Sequence, residues 1–488
     1  MSRIKGGIDG DPHNMAGLVE WVQCQKVASQ VRIVSELNRT LFYFLDSDGG
    51  EFEGCEFQIK LRFYPQGERI VPILPGGSTP PQANSQVLAA ALAERVGEFE
   101  YRSHDFVGDV DGGYTAQIKP ISIERFVSIL TDSSRGYERF VALFDDATRV
   151  TGSRASDRLE VGAGDDFVRG NVGSDVVFKW KKGALDFDGG DGVDTLYFRS
   201  DGSGDPFPTR FSDKLVVDLQ AGTGTSPYGG KLKLKSVEVV GDTDAADVIR
   251  GSKAAETVIS DAGGRDTFAL RGGDDTFSIS GTLVRSTIDG GQGRDTLNYW
   301  NLGFGAPVSL KNRLDLTDPS RNTGSFESAK VRGVENFTFS PLFDVDFEFI
   351  GTNAGERVGF SSSSLQSTAR LVLGGGNDEG IGGAGADTIF GGRGRDILQG
   401  GGGDDDLVGG AGADRFRFAP GFGDDRIRDF DPRGDKLDFS LYPAVASVRD
   451  LDISRQGSDT LIEAASGESV LLLDVARASI DRSDFLFA

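Results

Sequence analysis

Cysteine and histidine are almost missing from this chain of 488 residues. Cys24 and Cys55 are its only cysteines, and His13 and His104 its only histidines. Two cysteines exclude a disulfide scaffold and leave room for one bridge at most. Two histidines 91 residues apart exclude the HExxH helix of a zinc protease, which needs two imidazoles one turn apart. The GxSxG elbow of a lipase or esterase is absent too. Nothing in the flanks of Cys24 or Cys55 supports a Cys–His pair with His104. No run approaches the roughly 20 apolar residues of a membrane span. The first residues, MSRIKGGIDGDPHNM, lack the apolar core of a secretory signal, so export would need another route. Basic charge is also in deficit: 52 Lys and Arg stand against 75 Asp and Glu, a net −23. That balance excludes nucleic acid and anionic membrane surfaces as partners and suits a polyvalent cation.

What the chain has in excess is glycine, 69 residues of it. Much of the acid follows that glycine at fixed spacing. Counted in nines from Gly152, GSRASDRLE, VGAGDDFVR and GNVGSDVVF put aspartate at place six (Asp157, Asp166, Asp175) and an apolar residue at place eight (Leu159, Val168, Val177). GGDGVDTLY at 189–197 keeps the frame with Gly189, Gly190, Gly192 and Asp194, and GGQGRDTL at 290–297 keeps it with Gly290, Gly291, Gly293 and Asp295. Five nonapeptides then run without a gap from Leu373. Their place-six residues are Asp378, Asp387, Asp396, Asp405 and Asp414. Their glycines at places one, two and four include Gly382, Gly383 and Gly385; Gly391, Gly392 and Gly394; Gly400, Gly401 and Gly403; and Gly409, Gly410 and Gly412. Only Gly380 breaks the apolar rule at place eight. A flexible glycine-rich linker would not hold an acid and an aliphatic residue in phase.

The pattern answers the needs of calcium, a hard cation that takes six to eight oxygen ligands at about 2.3–2.6 Å. Tight turns that aim backbone carbonyls inward need positive φ, which glycine reaches freely. The aspartate adds charge, and the apolar residue enters the core from a short strand. Two nonapeptides make one coil of a parallel β-roll, so aspartates eighteen apart should stack. Asp378, Asp396 and Asp414 then form one column, and Asp387 and Asp405 the other. One apolar residue in nine makes a thin core, so binding several calcium ions would be part of folding.

These nonapeptides resemble the repeats-in-toxin family of hemolysin-type calcium-binding proteins, whose repeat is G-G-x-G-x-D-x-(apolar)-x. The resemblance implies a calcium-bound β-roll but no particular activity, since the module accompanies proteases, lipases, adhesins, surface-layer proteins and toxins. GFGDDRIRDFDPRGDKLDFS at 421–440 looks like the segment that closes such rolls, which makes Asp425, Asp429 and Asp435 candidate ligands. The final SDFLFA is similar to the tail of substrates of one-step type I export machinery, a route without an N-terminal signal peptide.

The expected fold is mainly β: a parallel β-roll or β-solenoid preceded by a smaller α+β domain. That domain, 1–148, carries helix-like spacing at 16–37 and 85–96, two short helices near 122–131 and 136–145, and a strictly alternating strand at 56–64. A first calcium cluster follows at 149–200, then degenerate repeats with inserted β segments at 201–372, with 241–278 expected to be poor in metal. A second cluster and its cap occupy 373–440, and a terminal β cap with the export signal 441–488. The expected role is that of a bacterial extracellular or cell-surface protein of a surface layer, matrix or adhesion system. Its partners would be calcium, further copies in a lattice or filament, or a cell-surface polysaccharide. The competing class is a secreted hydrolase or lyase, with chemistry in 1–148 or in the inserted segments.

Overall fold

The computed structural model describes residues 149–488 apart from 153, 180, 199–210, 212, 262, 303–310, 342–344 and 362–366. Before residue 149 it describes the backbone of five strands only. The chain divides into two compact units, 1–241 and 242–488.

In the first unit the five early strands form an antiparallel ladder: Val31–Glu36, Arg39–Phe44, Glu56–Tyr64, Arg95–His104 and Asp111–Ser122. The alternating segment at 56–64 is the strand its pattern predicts. The helix expected over 16–37 is corrected at its end, since Val31–Glu36 is a strand. The cause lies in VRIV, a β-branched run that loses side-chain freedom in a helix and fits a pleated surface. Likewise 95–96, the expected end of a second helix, opens the strand Arg95–His104. The rest of those two helices, and both short ones, fall outside the described residues apart from the overlap at Ser122 with strand Asp111–Ser122. Asp111–Ser122 pairs antiparallel with Arg149–Thr151, and there the coils begin. Arg149–Thr151, Asp166–Val172, Leu185–Asp191 and Lys231–Lys235 stack in parallel on one side. Arg158–Val161, Val176–Lys179, Thr195–Phe198 and Val239–Gly241 stack on the other.

The second unit repeats the plan at greater length. One parallel sheet runs from Thr257–Ser260 to Phe485–Leu486 through ten strands. Facing strands include Thr368–Gly375, Thr388–Gly394, Asp406–Gly412 and Asp424–Ile427, also parallel. Ser469–Leu472 joins that sheet in parallel and turns back through two antiparallel strands, Asp459–Ala464 and Leu451–Gln456, which close its edge.

Place eight builds the core as its period requires. Leu159, Val168, Val177, Leu196, Ile389, Leu398, Leu407 and Phe416 are all buried. Gly380 is the exception because there is no space: a Cβ there would lie 2.9 Å from Leu373 Cδ1 and 3.0 Å from Ile389 Cγ2. Where the nonapeptide decays, aromatic rings replace this thin aliphatic line. Phe326, Phe337, Phe339, Phe347, Phe349 and Phe360 form one cluster, with the Phe339 and Phe347 ring centres 4.4 Å apart. Phe339 is fully buried at its middle. Phe339→Ala should therefore lower the stability of the second unit by about 3–5 kcal/mol. Denaturant unfolding in saturating calcium measures this; a loss under about 1 kcal/mol would show that the cluster does not carry that stretch.

Candidate metal centre

The place-six acids point inward. Asp157, Asp166, Asp175, Asp194, Asp295, Asp378, Asp387, Asp396, Asp405, Asp414, Asp425 and Asp435 are each at most 4% exposed. A buried carboxylate must find partners or a counter-charge, because desolvation of an ion is expensive.

One oxygen of each column finds a backbone donor. The Asp378 N–H donates to Asp396 Oδ1 and the Asp396 N–H to Asp414 Oδ1, each at 2.9 Å. The Asp414 N–H continues the column to Asp435 Oδ1. In the second column Ala369, Asp387 and Asp405 donate to Oδ1 of Asp387, Asp405 and Asp425 at 2.6, 2.7 and 3.0 Å. The spacing of eighteen thus becomes a ladder in which each acid holds the coil before it. The first unit has its own ladder, Asp157 to Asp175 to Asp194, which ends on Glu238 Oε2. In the second unit Glu256, Asp275, Asp295 and Glu335 form another.

The other oxygen separates two kinds of turn. In the open kind Oδ2 is buried and accepts nothing, as at Asp175, Asp194, Asp275, Asp295, Asp378, Asp396, Asp405, Asp414 and Asp425. Gly392 and Gly394 show why glycine is required in such turns. Their φ values are +113° and +133°, and a Cβ on them would lie 2.0 Å from Gly374 O and 1.5 Å from Gly376 O. Gly190, Gly192, Gly291, Gly293, Gly401, Gly403, Gly410 and Gly412 share the positive φ. At place one a Cβ on Gly391 would lie 2.5 Å from Asp396 Oδ2 and 2.6 Å from Gly409 O. Gly189 and Gly290 sit in the same cradle, each between a carboxylate Oδ2 and the place-one or equivalent carbonyl of the next coil. Gly400 and Gly409 lie against the Oδ2 of Asp405 and Asp414. Acceptor faces acceptor there, and a hard cation satisfies both.

In the closed kind the acid turns back on its own coil. The place-two amide of Gly383 donates to Asp387 Oδ2 at 2.5 Å, and neither Gly383 nor Gly385 adopts positive φ. Asp431 donates in the same way to Asp435. Glu256 and Glu356 combine the two kinds: Oε1 of each accepts from the amide and hydroxyl of Ser252 or Thr352, while Oε2 stays buried against place one, 2.7 and 3.1 Å from where a Cβ on Gly251 and Gly351 would lie. Asp429 is different again: it is exposed, and its two oxygens accept from the Gly409 and Gly410 amides at 2.9 and 2.7 Å.

Asp166 meets a resident cation. Lys179 Nζ donates to Asp166 Oδ2 at 2.6 Å, to Gly162 O at 2.6 Å and to Gly164 O at 3.1 Å. Both side chains are fully buried. The ammonium thus gathers a place-six carboxylate and the place-two and place-four carbonyls. A lysine thirteen residues from its acid lies outside the nonapeptide frame, so the spacing could not reveal it. Glu238 and Glu335 were equally hidden behind insertions. Asp275 was legible, since RGGDDTF at 271–277 carries it in frame.

Burial, opposed by the ladder hydrogen bonds, pushes the carboxyls up from an ordinary value near 4. Asp175, Asp266 and Asp275 rise to about 7, Asp378 and Asp405 to about 8, Asp425 to about 9 and Asp387 to about 6. Neighbouring acids add to the rise at Asp378 (Glu356, Asp396) and at Asp425 (Asp405). A raised carboxyl pKa favours the protonated fold. The metal-free coil therefore has its full stability below about pH 4 and loses it as pH rises through 6 to 9. Calcium needs the ionised form, so its binding releases protons in that window.

Two outcomes follow. Calcium-free protein should hold more β structure at pH 5 than at pH 8, and apparent calcium affinity should fall on going from pH 8 to pH 5; circular dichroism and calorimetry in buffers of different ionisation heat check both. Lys179→Met should take the ammonium from the buried Asp166 carboxylate and cost about 3–5 kcal/mol in calcium-free buffer, with millimolar calcium restoring most of it. Hydrogen exchange at 162–179 reads this, and exchange indifferent to calcium in the variant would rule out the exchange of ammonium for metal.

Among known proteins, the family model for the RTX calcium-binding nonapeptide repeat matches residues 145–178 and 381–416, in four copies. No curated protein sequence matches the chain. Among solved structures, the AlgE6R3 subunit of the Azotobacter vinelandii mannuronan C5-epimerase is 31% identical over 30% of this chain and 80% of its own, with a TM-score of 0.20. The extracellular lipase LipA of Serratia marcescens is 17% identical over 61% of this chain, with a TM-score of 0.18; the chain spans 45% of that lipase. The chain belongs to the proteins built on RTX, hemolysin-type, calcium-binding nonapeptide repeats.

Proposed function

We propose that this is an extracellular structural protein of a bacterial surface layer, matrix or adhesion system, whose repeats fold on calcium after export. The observation that supports it best is the row of buried Oδ2 atoms without donors, facing backbone carbonyls in turns that only glycine can make. On this reading the open turns at Asp175, Asp194, Asp295, Asp378, Asp396, Asp405, Asp414 and Asp425 hold the ions. The metal supplies positive charge where the coil presents only acceptors. Closed turns at Asp387 and Asp435 close without it. Low calcium inside the cell would keep the repeats open for a type I exporter, and high calcium outside would fold them.

Residues 1–148 would anchor the assembly to a polysaccharide or to a second copy. Clusters at 149–200 and 373–440, the degenerate coil 201–372 between them and the cap 441–488 would form the scaffold. The scaffold reading is favoured because most of the chain goes into coil and no catalytic signature accompanies it. The secreted-enzyme reading draws on one finding: the similar segment in Azotobacter vinelandii is a subunit of an epimerase.

Far-UV circular dichroism and electron microscopy with and without millimolar calcium test the proposal. The expected result is a gain of β structure and of lattices or filaments with calcium. An unchanged spectrum would overturn calcium-driven folding. A calcium-folded monomer that cleaves or epimerises polysaccharide would replace the structural role by the enzymatic one.

A further inference from the structure

The stretch 241–278 departs from the repeat at place one. In the nonapeptide DTDAADVIR at 242–250 an aspartate, Asp242, stands where the consensus has glycine. The departure brings a third carboxylate to a rung that already has two. Ligand oxygens of Asp242, Asp247 and Asp266 lie within 4.8 Å of one another. Two oxygens bound to the same calcium are at most about 5.2 Å apart, so one ion spans this group.

The surroundings are those of a site rather than of a solvated acidic face. Asp242, Asp247 and Asp266 are 9%, 0% and 1% exposed. Oδ2 of Asp242 and Oδ2 of Asp266 are both buried without a hydrogen-bond partner. The charges that act most on Asp242 are those of three acids, Asp266, Asp247 and Asp261. The neutral groups present include further oxygens. The Ser260 hydroxyl interacts with Asp242, is 1% exposed and has no geometrically sound hydrogen-bond partner of its own. The Ala245 carbonyl shares a cradle with Asp266: a Cβ on Gly264 would lie 2.4 Å from Ala245 O and 2.4 Å from Asp266 Oδ1.

The Asp247 carboxylate is held in place for this role. Its Oδ2 accepts from the Thr243 amide and hydroxyl at 2.6 and 2.8 Å. Asp266 Oδ1 accepts from the Asp247 amide at 2.9 Å, which fixes the spacing of the two acids and leaves Asp266 Oδ2 free.

We infer that Asp242, Asp247 and Asp266 form a separate calcium site outside the consensus repeats, with three carboxylates on one ion. An all-oxygen set of this size suits calcium better than magnesium, which demands a tight octahedron and keeps its water. Affinity rises with the number of charged ligands, so this ion binds more tightly than those of the open consensus turns. The degenerate stretch is thus tied by its own ion rather than left without metal. The inference rests on the calcium reading above for the identity of the ion.

Asp242→Asn keeps the side-chain volume and removes one charge. Calcium-loaded full-length protein is dialysed against a chelator, and the retained ions are counted by native mass spectrometry. Wild type should keep one ion longest, and Asp242→Asn should lose it with at least tenfold weaker binding. Asp396→Asn should leave that last ion in place and lose ions from the consensus run. Equal retention in Asp242→Asn and wild type overturns the site and leaves the consensus ions standing. Retention of no ion by wild type after the chelator overturns the site, and absence of any bound ion before the chelator overturns both readings. If the variant does not fold, terbium anomalous scattering from wild-type crystals decides: a peak between the three carboxylates supports the site, and peaks only in 373–435 overturn it.

Discussion

Everything in the coils depends on a carboxylate that has been given half of what it needs. At place six one oxygen is satisfied by the amide of the preceding coil, which aligns the strands and sets their register. The second oxygen then lies in a buried cradle with another acceptor. A hydrogen bond worth about 1.5–3 kcal/mol to a charged group does not by itself offset several kcal/mol of desolvation. The coil is stable only if something positive enters. Glycine is required because the carbonyls that share the cradle can approach only where there is no Cβ.

The protein meets that need in several ways, each with a different dependence on its surroundings. Open turns call for a free ion. The coil at 161–166 has the Lys179 ammonium, which comes with the chain. Closed turns avoid the need in part by handing one carboxylate oxygen to the place-two amide, helped at Ser252 and Thr352 by a hydroxyl. Core packing follows the same division. Coils with glycine at places one, two and four bury a single apolar residue at place eight, whereas the coils around Glu356 bury a cluster of phenylalanines.

The columns were legible because they depend on period alone. A residue at i and another at i+18 share an edge whatever lies between, and Asp378, Asp396 and Asp414 stack as counted. The state of each turn was not legible. GGAGAD at 382–387 and GGRGRD at 391–396 read alike, yet the first closes on its acid and the second leaves φ positive at Gly392 and Gly394. The difference lies in which neighbouring coil meets each turn, a long-range fact. The partner of Asp166 was hidden for the same reason. The strand at 31–36 has a local cause instead, the β-branched run VRIV that interrupts the helix-like spacing of 16–37.

A chain with so many unpaired acceptors cannot gain stability evenly along its length. Coils that bring their own cation or an aromatic core lose little when calcium is low. On the proposed reading the open turns lose an ion and must take up a proton or keep a desolvated charge, and the loss multiplies because each acid also holds the amide of the coil before it. Removing one ion therefore loosens a rung and the hydrogen bond that aligns its neighbour. In a stack where each coil touches only the next, stability is a sum of coil and interface terms. Here the ion contributes to both terms at once. That coupling makes a run such as 391–414 respond to calcium cooperatively, although no single turn in it holds more than one acid at place six.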